Sequence, residues 1–260
     1  MDAATAETPV DDSESALRRR SSVERVHRLM SAFDYEHTRL TLTDLSRRAG
    51  LPLSTTHRMV ADLLDHGMLD RDHLDHLSIG MEVWKFGLLT PRTHGIQRVA
   101  LPFMQDLYAT TGLAVHLGIQ SGDHVTIVEN LRPRSAGHEA PQVGQRDPLH
   151  VTAVGMAILA FSAPETQEEY LARLRDDGDP ATSEAIRREL AQTRANGFAV
   201  SSRLSAPRIA IGAPLLNQDG RPMGSMSIVV PERTAPPPYG HLVRSTARAV
   251  QRIAWEQGIA

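Results

Sequence analysis

The 260-residue sequence has no cysteine, which excludes disulfides, thiolate zinc sites and cysteine nucleophiles at once. Aromatic residues make up only 4%, and Lys85 is the single lysine among the basic residues. No apolar run approaches the roughly 18 residues that a membrane span needs. The opening stretch, MDAATAETPVDDSESALRRR, lacks the apolar core of a signal peptide, so a cytoplasmic protein with no membrane partner is expected. Enzyme signatures are missing too. There is no HExxH, no GxSxG and no Walker-type phosphate loop, and GSMS at 224–227 lacks the glycine spacing of a nucleophile elbow. His73 and His76, with Asp70 or Asp75 nearby, read as surface histidines rather than metal ligands. The expectation is a non-enzyme with no cofactor and no metal.

What is present is ordinary for globular protein, 41% hydrophobic and 23% charged, at a length that suggests two unequal domains. The net charge of −3 hides a marked asymmetry. Residues 1–17 carry five acids and no base, residues 18–58 nine bases against four acids, and residues 59–90 two against six. A local basic excess attracts phosphates even on an acidic chain, because screening confines each field to about 10 Å.

Residues 1–20 have no periodic apolar positions and read as a disordered tail ending in a basic run, Arg18–Arg20, with a minor-groove arm as the alternative. From Ser21 or Ser22, Val23, Val26, Met30 and Phe33 recur at helical spacing. The segment LTLTDLSRRAGLPLSTTHRMVADLLDHGML then carries the densest local signal. Thr41 with Asp44 caps a short helix, Leu45 and Ala49 face inward, Gly50 stops it, and a second helix is predicted over 54–66 before Gly67. Met59, Val60 and Leu63 share one side of that helix, with Thr56, while Ser54, His57, Arg58, Ala61 and Asp62 lie opposite. A polar N-terminal face suits a recognition helix, and Arg58 is the best donor for a base edge or phosphate. Two short strands, 68–71 and 76–79, around a turn at 72–75 read as a wing. Its Asp70, Asp72 and Asp75 would repel phosphates.

Residues 81–110 read as helix in two pieces, broken near Thr90-Pro91. Beyond Gly112, LAVHLGI sets Leu113, Val115, Leu117 and Ile119 against Ala114, His116 and Gly118, and HVTIVEN pairs with it as a hairpin. A loop at 132–148, helices at 151–162 and 182–196, strands at 207–216 and 223–230, and a helix over 239–257 complete an α+β domain. The expected organisation is a winged helix-turn-helix at 21–80, a linker helix at 81–92, and a larger domain at 93–260.

Two separated blocks make the sequence resemble the IclR family of bacterial regulators: the helix-turn-helix segment with its Arg58 and Gly67, and PLHVTAVGMAILAF at 148–161. NGFAV, IGAPLLNQDGRPMGSMSIVVP and the closing helix follow in family order. The resemblance implies a GAF-like C-terminal domain with an antiparallel sheet that binds a small-molecule effector. It also implies a homodimer, or dimer of dimers, on a pseudo-palindromic double-stranded DNA operator. Carried over, DNA contacts fall on Thr41, Thr43, Ser54, Thr55, Thr56, His57 and Arg58, and effector contacts on His150, Ala153, Val154, Ser201, Ala210, Ser227 and Val229. Relatives that take small polar acids carry a carboxylate, a thiol and a second hydroxyl where this chain has Ser201, Ala210 and Val229. Met156 replaces a lysine, and the loop between Val200 and Ile209 is one residue short. A bulkier, aromatic carboxylate effector of a repressor is therefore expected, with Arg203 and Arg208 as alternative carboxylate partners. Leu53 stands where relatives carry a basic residue. The competing readings are a ligand sensor or scaffold that does not bind DNA, and a hydrolase.

Overall fold

A computed structural model describes residues 22–34, 36–89, 91–133, 141–177, 180–202 and 207–259. The chain divides between Leu89 and Thr90 into two units. Arg18–Arg20, Ser21, Arg203 and the central part of the 132–148 loop lie outside the described residues.

In the first unit, helix α1 (22–30) packs through Leu29 and, just beyond it, Ala32, whereas Val23, expected inside, is 80% exposed. Thr41 caps α2 (Leu42–Ala49), its Oγ accepting the Asp44 amide at 3.1 Å. Gly50 ends α2 in the left-handed region at φ 61°, a conformation that costs a side-chain-bearing residue energy. Only Gly50, Leu51 and Pro52 separate α2 from α3 (Leu53–Asp65), which buries Thr56, Met59, Val60 and Leu63. Strands β1 (Leu69–Arg71) and β2 (Leu77–Ile79) pair antiparallel, and Leu40 bridges Leu77 on the other side. These side chains meet in one apolar cluster around Leu29, Leu45, Leu69 and Leu77. Helix α4 (Met81–Leu88) closes the unit and has no buried residue.

The second unit begins with α5 (Pro91–Thr111) and is built on a six-stranded sheet. Its strands are β3 (Ala114–Ser121), β4 (His124–Leu131), β5 (Arg146–Pro148), β6 (Ala199–Ser201), β7 (Arg208–Leu216) and β8 (Pro222–Pro231). They run in the order β5-β4-β3-β8-β7-β6, every pairing antiparallel. The expected one-sided alternation in β3 is true of chemistry but not of burial, because helices cover both faces. Val115, Leu117, Ile211, Ile228 and their neighbours pack against α5 and α9 (Pro236–Glu256). The opposite face carries α6 (Ala153–Phe161), itself roofed by α7 (Pro164–Asp177) and α8 (Pro180–Asn196). Neither α7 nor the short β6 was expected from the sequence.

Helix α6 is buried on all sides, from Ala153 to Ala160, because sheet and helices enclose it. It reaches the sheet over glycines. A Cβ at Gly212 would lie 2.6 Å from the Ala153 carbonyl oxygen, and one at Gly118 would lie 2.5 Å from Val154 Cγ1. The helix N-terminus is thus seated on the backbone of β7, with Val154 filling the space above β3.

Candidate functional sites

The two units present separate candidate surfaces. On α3, Ser54, His57 and Arg58 are exposed and Thr55 is half-buried, while Thr43 is exposed in the first turn of α2. Thr56 corrects the sequence reading. It is fully buried, and its hydroxyl donates to the Pro52 carbonyl at 3.1 Å, so it fixes the start of α3 instead of facing a partner. The Thr41 hydroxyl is engaged as well, donating to Asp44 Oδ2 at 2.7 Å.

The basic excess of the N-terminal segment is largely spent inside the unit. Arg28 donates to the Gly50 carbonyl, Arg48 to the Ala32 carbonyl and Asp34, and Arg47 to Asp44, while Arg39 pairs with Asp72 at 3.7 Å. Arg58 has no hydrogen-bond or ion-pair partner among the described residues, which leaves its guanidinium available on the exposed face of α3. The wing acids are less repulsive than their number suggests. Asp72 accepts the Leu74 and His76 amides at the turn, and these bonds, with the charges of His76 and Arg39, hold its carboxyl below the usual range. Asp75 pairs with Arg71 at 3.1 Å.

In the second unit, the sheet face under α6 defines the other surface, because residues paired across neighbouring strands point the same way. One row reads Ser201, Ala210, Val229, Ala114, running from β6 to β3. The adjacent row reads Gly212, Ser227, His116, Asn130, running from β7 to β4. Ser201, Ala210, Ser227 and Val229 are therefore brought together, beside the N-terminus of α6. There the amides of Ala153 and Val154 have no acceptor within the helix, and the positive end of its dipole favours an anion. Thr152 caps the third amide, that of Gly155, at 3.0 Å. The Ser201 hydroxyl donates to the Val151 carbonyl at 3.0 Å. His150 stands apart from both rows, its Nδ1 2.7 Å from the Tyr170 hydroxyl of α7.

Sequence reasoning missed two residues here. His116 is 3% exposed and its Nε2 has no partner; Asn130 Oδ1 and the fully buried Ser227 Oγ are likewise buried and unpartnered. Three orphaned polar atoms thus occupy successive positions of one row. The only advance signal was His116 on the polar side of the β3 alternation. Burial, with a smaller contribution from the Arg132 charge, lowers the His116 pKa from 6.5 to about 4, so the ring is neutral near pH 7. Among the described residues no three His, Asp or Glu side chains gather as a metal site. No described helix is long and apolar enough to cross a membrane.

A helix-turn-helix with a wing, joined in one chain to an α+β domain whose polar row lies beside a helix N-terminus, defines a ligand-responsive DNA-binding regulator. Residues 22–73 match the IclR helix-turn-helix domain and residues 90–252 match the bacterial transcriptional regulator IclR C-terminal family. The chain belongs to the IclR family of bacterial transcriptional regulators, whose members bind DNA and carry an effector-binding C-terminal domain. It is similar to the HTH-type transcriptional regulator KipR of Bacillus subtilis, 30% identical over 194 residues, covering 73% of this chain and 78% of KipR. Similarity to the regulator XynR of Escherichia coli is 28% over 213 residues, 80% of this chain and 84% of XynR. Among solved structures, an IclR homologue from Microbacterium hydrocarbonoxydans complexed with 4-hydroxybenzoate superposes with a TM-score of 0.79 at 27% identity, covering 89% of this chain and 98% of that one. These relatives are transcriptional regulators, and this chain is one rather than an enzyme.

The buried neutral histidine makes stability depend on acid. The unfolded chain protonates His116 near pH 6.5 and the folded chain near 4, so the unfolded state binds more protons between those values. Stability is complete above pH 6.5 and falls as pH drops toward 4, by on the order of 3 kcal/mol from this group. In urea titrations, the stability gap between wild type and His116→Gln is expected to shift in favour of the variant as pH falls from 7 to 4.5. A gap that stays constant with pH would refute this account.

Proposed function

We propose that the protein is a cytoplasmic transcriptional repressor that binds a pseudo-palindromic operator as a homodimer, or a dimer of such dimers, under the control of an aromatic carboxylate. The observation that carries the effector reading is the α6 face of the sheet. It offers free helix amides at one end and, along one row of the sheet, the apolar side chains of Ala210, Val229 and Ala114. A pyruvate-sized acid held at the amides would leave that apolar row uncovered. Ser201 spends its hydroxyl on Val151, and Met156, in place of the lysine of relatives, is 1% exposed. An aromatic acid places its charge at the amides and its ring over apolar surface. The 4-hydroxybenzoate complex of the Microbacterium homologue supports the same ligand class.

For DNA, the donors are Ser54, Thr55, His57 and Arg58, with Thr43 and Thr41 near the phosphates. One short helix contacts too few base pairs to select a genomic site, and two half-sites add their affinities. Helix α4 supports a second copy as the dimer partner: Met81 is 61% exposed, Trp84 and Phe86 59% each, and Leu89 just beyond it 76%. Apolar surface of this density on one short helix is unfavourable in water unless covered.

Three experiments test the proposal. In gel shifts with DNA from upstream of its own gene, Arg58→Ala is expected to weaken binding at least tenfold with effector affinity intact. Trp84→Glu is expected to convert the dimer to monomer by light scattering and to weaken operator binding with it. Unchanged operator affinity in Arg58→Ala removes that residue from the interface. In calorimetry against aliphatic and aromatic acids, benzoates are expected to bind and to change operator affinity, whereas preference for pyruvate-sized acids overturns the effector class.

A further inference from the structure

The geometry points to a second recognition element within the ligand site: the row Ser227, His116, Asn130 selects an uncharged hydroxyl at the far end of the aromatic acid, and His116 is its specificity-determining side chain. This rests on the α6 face of the sheet being the aromatic-acid site proposed above. The argument starts from what the three atoms cost. Leaving a buried donor or acceptor unpaired costs about 1–3 kcal/mol, and native structures keep few such groups. Ser227 Oγ, His116 Nε2 and Asn130 Oδ1 are unpaired in adjacent strands, on the face that also holds the α6 N-terminus. The feature is local to that row. Ser225, two residues along β8 on the same face, donates its hydroxyl to the Ala213 carbonyl at 2.9 Å and needs nothing more. On the opposite face, residues at the same level of the sheet, such as Val115, Ile211 and Ile228, are apolar and packed.

Spacing then assigns the ends. The α6 amides sit over Gly212 on β7, and His116 is two strands away, about 10 Å at usual strand spacing. Ser227 stands between them on β8. A carboxylate held at the helix therefore directs the ring across β8, and a substituent opposite the carboxylate arrives at His116. A neutral imidazole accepts from or donates to a hydroxyl without a counter-ion, as do the hydroxyl of Ser227 and the carbonyl oxygen of Asn130 as acceptor. The row thus suits a phenolic hydroxyl better than a methyl group of the same size, which would leave all three atoms unpaired.

The test is calorimetry of the full-length protein with benzoate, 4-methylbenzoate and 4-hydroxybenzoate. Wild type is expected to prefer 4-hydroxybenzoate over 4-methylbenzoate by about tenfold, the yield of one well-placed hydrogen bond. In His116→Phe that ratio is expected to fall to about one, with benzoate affinity within about threefold of wild type. Ser227→Ala, a smaller change whose fold is checked by circular dichroism, is expected to reduce the ratio as well and carries the test if His116→Phe does not fold. Benzoate binding without a hydroxyl preference, or a preference undiminished in the folded variants, overturns this inference alone. Failure of wild type to bind any of the three overturns the aromatic-acid site and this inference with it.

Discussion

The second unit is organised by the close approach of one helix end to a sheet backbone. Gly212 lacks the Cβ that would collide with the Ala153 carbonyl, and Gly118 makes room for the Val154 side chain. With α6 lowered onto the sheet at these two points, its first amides come to the level of the row that contains Ser227 and His116. A helix held off by ordinary side chains would sit several ångströms higher and carry its dipole away from any ligand lying on the strands. The all-apolar composition of α6 follows from the same contact, since the sheet below and α7 and α8 above leave it no solvent-facing side. The unpartnered polar atoms of the α6 face, on Ser227, His116 and Asn130, lie in the row next to Gly118 and Ser225, and the proposed site is built on them.

The first unit shows a comparable economy of charge. Its arginines are mostly structural, bridging Gly50, Ala32, Asp34, Asp44 and Asp72, so a count of basic residues overstates the charge free to meet phosphate. The aspartates of the wing are mostly structural too, as the bonds at Asp72 and Asp75 show. In the proposed mode of DNA recognition, bulk charge then counts for less than a few side chains at the start of α3, with Arg58 foremost. That is consistent with an overall negative protein, whose long-range field does not draw it to nucleic acid.

Local features of the sequence were legible because their causes are local. Thr41 and Asp44, Gly50 and Gly67 mark the ends of α2 and α3 within a few residues of the bonds they make. Helix α7 was not legible: its inward positions, Tyr170, Leu171 and the half-buried Leu174, are too few among charged neighbours to make a stripe, and packing against α6 and α8 supplies what the pattern lacks. Thr56 was misplaced in the DNA set because its sequence neighbours Ser54, Thr55 and His57 are exposed, although its angle on the helix puts it inside. His150 was carried over by position, and the structure turns its ring toward Tyr170.

The polar row was hidden for a stricter reason. Val125 and Asn130 are five residues apart on β4, so in a regular strand they would point to opposite faces. Both lie on the α6 side: Val125 packs beside Val154 above Gly118, and Asn130 pairs with His116. A bulge reconciles them, since Leu117 pairs with Glu129 whereas Gly118 pairs with Ile127, leaving Val128 as the extra residue. Below the bulge β4 contributes apolar contacts to α6; above it the same strand turns Asn130 toward His116. The period-2 reading of HVTIVEN, followed without interruption, would place Asn130 on the other face, away from His116. Detecting the site required the register of β4 against β3 and of β3 against β8, and those are set by contacts between residues as far apart as His116 and Ser227.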